Sequence, residues 1–141
     1  MMACKAALFS DDATLELILH ENTKPDTNPK DIKALGRRIN PFDEDTWVKH
    51  REGIVYFGNS FKFGQNEELK KKLLETRDLI LVEASPFDRI WGIGFRESKA
   101  MKVMEDWGLN LLGEALMKVR KELAEQQPQP EGVTEVETSK L

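Results

Sequence analysis

A chain of 141 residues with 40% apolar content has room for one domain around one core. Its net charge of −4 argues against nucleic acid as the main partner, because binding a phosphate backbone needs clustered positive charge and Lys70-Lys71-Lys72 is the only basic triplet. Cys4 is the single cysteine and His20 and His50 are isolated, so no intramolecular disulfide can form, no metal-ligand spacing exists, no structural zinc is expected, and the composition fits a reducing compartment.

In chain order, Met1 to Phe9 reads as a short apolar helix interrupted by Lys5 and stopped by Ser10-Asp11-Asp12. It is too short to span a membrane and lacks the layout of a secretory signal. No Ser, Thr, Asp or Asn precedes it as a cap, so it reads as a helix cut from something longer. Asp11 or Asp12 caps a second helix to about His20, with Leu15, Ile18 and Leu19 on one face. Residues 21–28 are a polar loop. Asn28 and Pro29 then form an N-cap and first-position pair for a helix with Ile32, Leu35 and Ile39 at helical spacing, carrying Lys33, Gly36, Arg37 and Arg38.

Pro41-Phe42-Asp43 opens another helix, with Glu44 and Asp45 in its first turn and Trp47 and Ile54 on its inner side. The run Ile54-Val55-Tyr56-Phe57 has strand-like composition, yet the helical reading is preferred. Asn66 caps the next helix, whose inner face is Leu69, Leu73 and Leu74. The apolar run Leu79-Ile80-Leu81-Val82 predicts a short buried strand. A core helix follows from about Asn110 to Ala124, with Leu112, Ala115, Leu116, Val119 and Leu123 as its stripe, each large side chain worth roughly 1.5–3 kcal/mol if fully buried. From residue 125 the composition turns to Gln, Pro, Glu, Thr and Gly, which predicts a disordered tail over 125–141. The expected fold class is therefore α+β, predominantly helical, with a small β element. The chain ends in Ser139-Lys140-Leu141, the peroxisomal import tripeptide, so the expected location is cytoplasmic, or peroxisomal if the source is eukaryotic.

The loop Val82 to Gly94 holds the densest chemistry: Glu83, a Ser85-Pro86 turn, Asp88, Trp91, and glycines at 92 and 94. An aromatic plate beside a carboxylate suits a flat ring carried on a sugar. The alternative is a surface loop in which Asp88 caps a turn and Trp91 pins the segment to the core. Lys33 to Arg38 places a small residue beside arginines, as a phosphate contact requires, although exposed helical arginines are commonplace. Asn59 to Asn66 mixes amides, Lys62 and the phenylalanines Phe61 and Phe63, for which a place in the core at a helix end is the preferred reading, and Lys5 fits a lysine snorkelling to water. Gly-x-Ser-x-Gly and Walker A patterns are absent, and Cys4 has no histidine near it in sequence. What remains is carboxylate and aromatic chemistry, suited to the oxocarbenium-like state of N-glycosidic cleavage.

Taken together, these residues resemble the NADAR superfamily, founded on YbiA-like N-glycosidases of riboflavin-pathway intermediates. The resemblance rests on Lys5-Ala6 with Phe9, Lys33-Ala34-Leu35-Gly36-Arg37, Asn59 with Lys62-Phe63 and Gln65-Asn66, Glu83-Ala84-Ser85-Pro86 with Asp88 and Ile90-Trp91-Gly92-Ile93-Gly94, and Asn110-Leu111-Leu112-Gly113 with Ala115-Leu116-Met117. They cover residues 1–124, the expected domain. The resemblance implies a mostly helical fold with a small β component, and hydrolysis of the N-glycosidic bond in ribosyl-aminopyrimidine phosphates or in ADP-ribosylated guanine. It further implies Asp88 and Trp91 in the active site, Lys5, Arg37, Asn59 and Lys62 as contacts to sugar, phosphate or base, and no metal or redox cofactor. The partners it implies are a ribosylated base or nucleotide, and an ADP-ribosylated nucleic acid as a further class. It also implies several tens of residues before Met1, with an active-site glutamate among them. On that expectation the chain would lack a catalytic carboxylate, and the alternatives to an active hydrolase are a module that binds ADP-ribose without cleaving it, or an inactive truncated form.

Overall fold

Side-chain caps set the starts of four helices in the computed structural model, which describes residues 1–126. Asp11 accepts from the backbone N–H of Thr14 (3.0 Å) to open α2, Asp12–Asn22, and Asn28 accepts from Lys30 N–H (3.0 Å) to open α3, Pro29–Gly36. Asp43 accepts from Thr46 N–H (2.7 Å) at the head of α4, Glu44–Gly64, and Asn66 from Leu69 N–H (3.0 Å) at the head of α5, Glu67–Glu75. Each cap supplies one acceptor to the unpaired N–H groups of a first turn. Before them lies α1, Met2–Leu8, which has no side-chain cap. After them come α6, Glu97–Ala100, a 3-10 turn at Met104–Asp106, and α7, Leu111–Glu125. Expectations for the tail beyond Gln126 and for Ser139-Lys140-Leu141 fall outside the described residues. No helix among the described residues is long and apolar enough to cross a membrane.

Ile54 to Phe57 lie within α4, as preferred on sequence. Rising about 1.5 Å per residue, the 21 residues of α4 reach across two clusters of buried side chains. At one end Trp47 meets Ala6, Phe9, Ile18 and Ile39, with Trp91 packed against the group. At the other, Tyr56 and Phe63 cover Leu73, Val119 and Leu123. Within α2 the inner face is Thr14 and Ile18 with Leu15 packed beside them on the same cluster, as expected for Leu15 and Ile18, while Leu19 is 52% exposed and does not join it.

The small β element is absent: the described residues contain helices and turns and no strand. Residues 79–82 are not buried either, since Leu79 and Ile80 are 69% and 61% exposed. Their backbone groups are taken by side chains rather than by a neighbouring strand. Arg120 Nη1 donates to the Leu79 carbonyl (2.9 Å), Asn110 Nδ2 donates to that of Leu81 (2.8 Å), and Asn110 Oδ1 accepts from Glu83 N–H (3.1 Å). An apolar run becomes a strand only when a second edge meets it. Asn110 itself sits just outside α7 in the left-handed region, at φ 50°, instead of beginning the helix.

Candidate active site

The loop after residue 82 is fixed by its own backbone. Glu83 carbonyl accepts from Ser85 N–H (2.9 Å) and Ile93 N–H (3.0 Å), closing residues 83–93 into one turn-rich unit. Gly92 is required where this unit folds back, because a Cβ there would lie 2.5 Å from the Glu83 carbonyl oxygen and 3.0 Å from that of Asp88. The first N–H groups of α7 then finish the job: Leu111 donates to the Ile90 carbonyl and Leu112 to that of Trp91, both at 3.1 Å. The helix thus caps itself on the loop it holds.

Within this unit, Asp88 Oδ1 accepts from the N–H groups of Ile90 (2.9 Å) and Trp91 (2.8 Å). Trp91 is half-buried against the Trp47 cluster. Turn capping and pinning to the core are therefore both real, and they have a chemical by-product. No hydrogen bond among the described residues engages Asp88 Oδ2, and the Trp91 side chain packs against the core cluster. A cleft of about 390 Å³ opens here. Ile32, Val55 and Leu112 give it apolar walls, Glu83 and Asp88 are its carboxylates, and Trp91 is its aromatic surface.

Trp91 also lines a second cleft of about 390 Å³, built from α1, the segment after α3, α4 and the loop that carries Trp91. Its lining holds Lys5, Arg37 and Arg51 with a single acid, Glu44, and the aromatic residues Phe42 and Trp47. Lys5 Nζ donates to the carbonyl of Gly36 (3.2 Å), the last residue of α3, where unpaired carbonyls and the helix dipole favour a cation. The same ammonium lies 4.2 Å from the centre of the Phe42 ring and 5.3 Å from that of Trp47. Loss of water at this spot pulls the Lys5 pKa below its ordinary value, and the charge of Glu44 opposes that shift. The snorkelling expected for Lys5 ends on protein.

The sequence-selected residues thus divide. Asp88 and Trp91 share the first cleft, Lys5 and Arg37 join Trp91 at the second, and Asn59 and Lys62 line neither. The amide of Asn59 donates to the Val55 carbonyl within α4 (2.8 Å), and exposed Lys62 lies 5.4 Å from the centre of the Phe63 ring. Arg51 was not singled out on sequence, yet it is only 8% exposed. Its signal was the spacing Trp47, Arg51, Val55, which sets a charged residue in the buried stripe of α4. Among the described residues no three His, Cys, Asp or Glu side chains converge as a metal ion would need.

Comparison with known proteins bears on what this arrangement serves. A family model described as the NADAR domain matches residues 1–124. An N-glycosidase of Acanthamoeba polyphaga mimivirus is 46% identical over 124 residues, which cover 86% of this chain and 70% of that protein. The protein irg-1 of Caenorhabditis elegans is 42% identical over 125 residues, 84% of this chain and 56% of that protein. An N-glycosidase of Nostoc punctiforme is 32% identical over 114 residues, 81% of this chain and 65% of that protein. The chain therefore spans between just over half and seven tenths of the length of these relatives.

Proposed function

The chain belongs to the NADAR domain family, and on that premise we propose that it is a hydrolase cleaving the N-glycosidic bond of a phosphorylated ribosyl base. The substrate class is a ribosyl-aminopyrimidine phosphate or an ADP-ribosylated guanine. The observation that supports this most is the pairing of Asp88 with Trp91 on one rigid turn, with Asp88 Oδ2 outside the hydrogen bonds that hold the turn. In the proposed reaction the C1′–N bond breaks with its electron pair going to the base. Positive charge then builds on C1′ and the ring oxygen, and the Asp88 carboxylate stabilises it. Trp91 stacks on the base as it leaves, a contact that a flat ring offers whatever its substituents. Water adds to C1′, and its proton ends on the departing nitrogen. Glu83, a carboxylate of the same cleft, orients that water in this reading.

Asp88→Asn is the informative variant, because an amide oxygen still accepts from Ile90 and Trp91 N–H while the negative charge is gone. Released base is measured with the ribosyl-aminopyrimidine phosphate and with ADP-ribosylated guanine. The expected result is wild-type turnover of at least one, and a loss of about 100-fold or more in the variant with its fold intact. Folded wild-type protein that turns over neither substrate would overturn the hydrolase reading. Full activity in Asp88→Asn would instead remove Asp88 from the chemistry.

A further inference from the structure

We infer that the second cleft is an anion site anchored by Arg51, and that it takes the phosphate ester on the ribose while the base lies on the other side of Trp91. This rests on the N-glycosidase reading for the identity of the ligand, and on the cleft itself for its charge.

Arg51 is 8% exposed, and its guanidinium Nε is buried with no hydrogen-bond partner. Among the described residues no carboxylate comes within 4.0 Å of Lys5, Arg37 or Arg51, the ion pairs being Lys24 with Glu21 and Lys71 with Glu75. A buried guanidinium without an anion is expensive, and chains retain one where an anion arrives. Lys5 is already committed to the Gly36 carbonyl and to two aromatic faces, so it contributes charge more than a directed hydrogen bond. No hydrogen bond among the described residues engages either terminal nitrogen of Arg51, and these, unlike the enclosed Nε, are the ends of the planar fork that can meet phosphate oxygens. Three cations against the one carboxylate of Glu44 leave two net positive charges on the lining. That complements a phosphate monoester, which carries about −1.5 to −2 at neutral pH.

Position selects the phosphate of the substrate over other anions. Trp91 is a wall of both clefts, so a ligand crossing its edge places a phosphate toward Arg51 and a base toward Asp88. A nucleic-acid backbone fits less well, since the chain carries net charge −4 and the cations sit in a cleft rather than along a face.

The test is calorimetry on the full chain with ribose 5-phosphate, ribose and inorganic phosphate, for wild type, Arg51→Gln and Arg51→Lys. Ribose 5-phosphate should bind wild type more tightly than either other ligand. Arg51→Gln should weaken it by about tenfold or more, and Arg51→Lys by less, since charge survives and the fork does not. The ligand-free melting temperature of Arg51→Gln should equal or exceed that of wild type, because an uncompensated buried charge is gone. A purely structural arginine would lower it. In turnover, the preference for a phosphorylated over a dephosphorylated ribosyl base should collapse in Arg51→Gln. The inference is overturned if wild type binds ribose 5-phosphate no better than ribose or inorganic phosphate, or if Arg51→Gln keeps the preference, even where wild type still releases base. Tight ribose 5-phosphate binding with no turnover would overturn the hydrolase reading and leave the anion site standing. Should Arg51→Gln fail to fold, the wild-type preference and Arg51→Lys decide.

Discussion

Replacing Asn110 by Ala tests the link between fold and site most directly. Asn110 is 5% exposed, and its amide spans Leu81 carbonyl and Glu83 N–H at 2.8 and 3.1 Å. A buried polar group left without its partner costs ~1–3 kcal/mol. Leu81 is half-buried and Glu83 is exposed enough for water to replace part of the loss, which puts the two bonds together at about 2–4 kcal/mol. Asn tolerates the left-handed backbone at φ 50° better than Ala, adding about 1 kcal/mol. Asn110→Ala should therefore lose about 3–5 kcal/mol and Asn110→Gly, free of the backbone strain, about 1 kcal/mol less. For a chain of this size the Ala loss corresponds to a melting temperature lower by roughly 10–20 °C. Urea denaturation followed by far-UV circular dichroism gives both values, and base release gives the activity, which should fall because Glu83 begins the turn that carries Asp88. A loss below about 1 kcal/mol with normal turnover would show that the amide does not hold the segment. Equal losses for Ala and Gly would refute the assigned strain.

Glycine-to-alanine changes on two helices should differ in sign. A Cβ on Gly113 would press into the Leu81 carbonyl and the Asn110 side chain, so Gly113→Ala should destabilise by about 1–3 kcal/mol, whereas Gly53 and Gly58 face open space on α4 and their replacement should stabilise by up to about 1 kcal/mol each, all read from urea midpoints. Ile80→Thr should change stability by no more than about 0.5 kcal/mol, since Ile80 is 61% exposed, and a loss several times larger would restore the buried strand. Asp11 accepts from Asn40 N–H and Thr14 N–H, and these bonds, that of Asn40 first, hold its pKa below the ordinary 3.8. The folded state keeps this carboxylate ionised, so its contribution is complete above 3.8 and is lost as pH falls through the depressed value. Acid titration of stability should accordingly be shallower below that pH in Asp11→Asn than in wild type, and coincident curves would discard the linkage.

Helix starts were readable because a cap is a contract between residues two or three apart. Asn28 and Asn66 were named as caps from local pattern and each makes its bond, the choice left between Asp11 and Asp12 falls to Asp11, and Asp43, read as part of a helix start, caps it. The strand at 79–82 failed for the opposite reason. Its apolar, β-branched content describes what an extended segment prefers, whereas pairing depends on which groups arrive beside it, and those are the side chains of Asn110 and Arg120 from about thirty to forty residues away. Leu19 erred more simply: helical spacing allowed it on the inner face, but α2 faces the core through Thr14, Leu15 and Ile18, and the stripe is too narrow to include Leu19.

The carboxylate side of the candidate site was visible because Glu83, Asp88 and Trp91 lie within one short loop, and a loop brings near neighbours together whatever the rest does. The cationic side was visible only in pieces. Lys5 lies on α1, Arg37 just past the end of α3 and Arg51 on α4, and each has an ordinary alternative as a solvated charge; only packing converts three separate cations into one lining with a single acid. Arg51 shows what periodicity can add. A charge four residues after a buried Trp and four before a buried Val lies on the stripe that must face inward, so it is desolvated before any site is considered. Such a charge needs a partner from the protein or from a ligand, and among the described residues the protein supplies none within ion-pairing distance. On the anion-site inference, the unexplained residue on the apolar face, rather than the conspicuous loop, carries the sharper expectation of the substrate, a negative charge to meet Arg51.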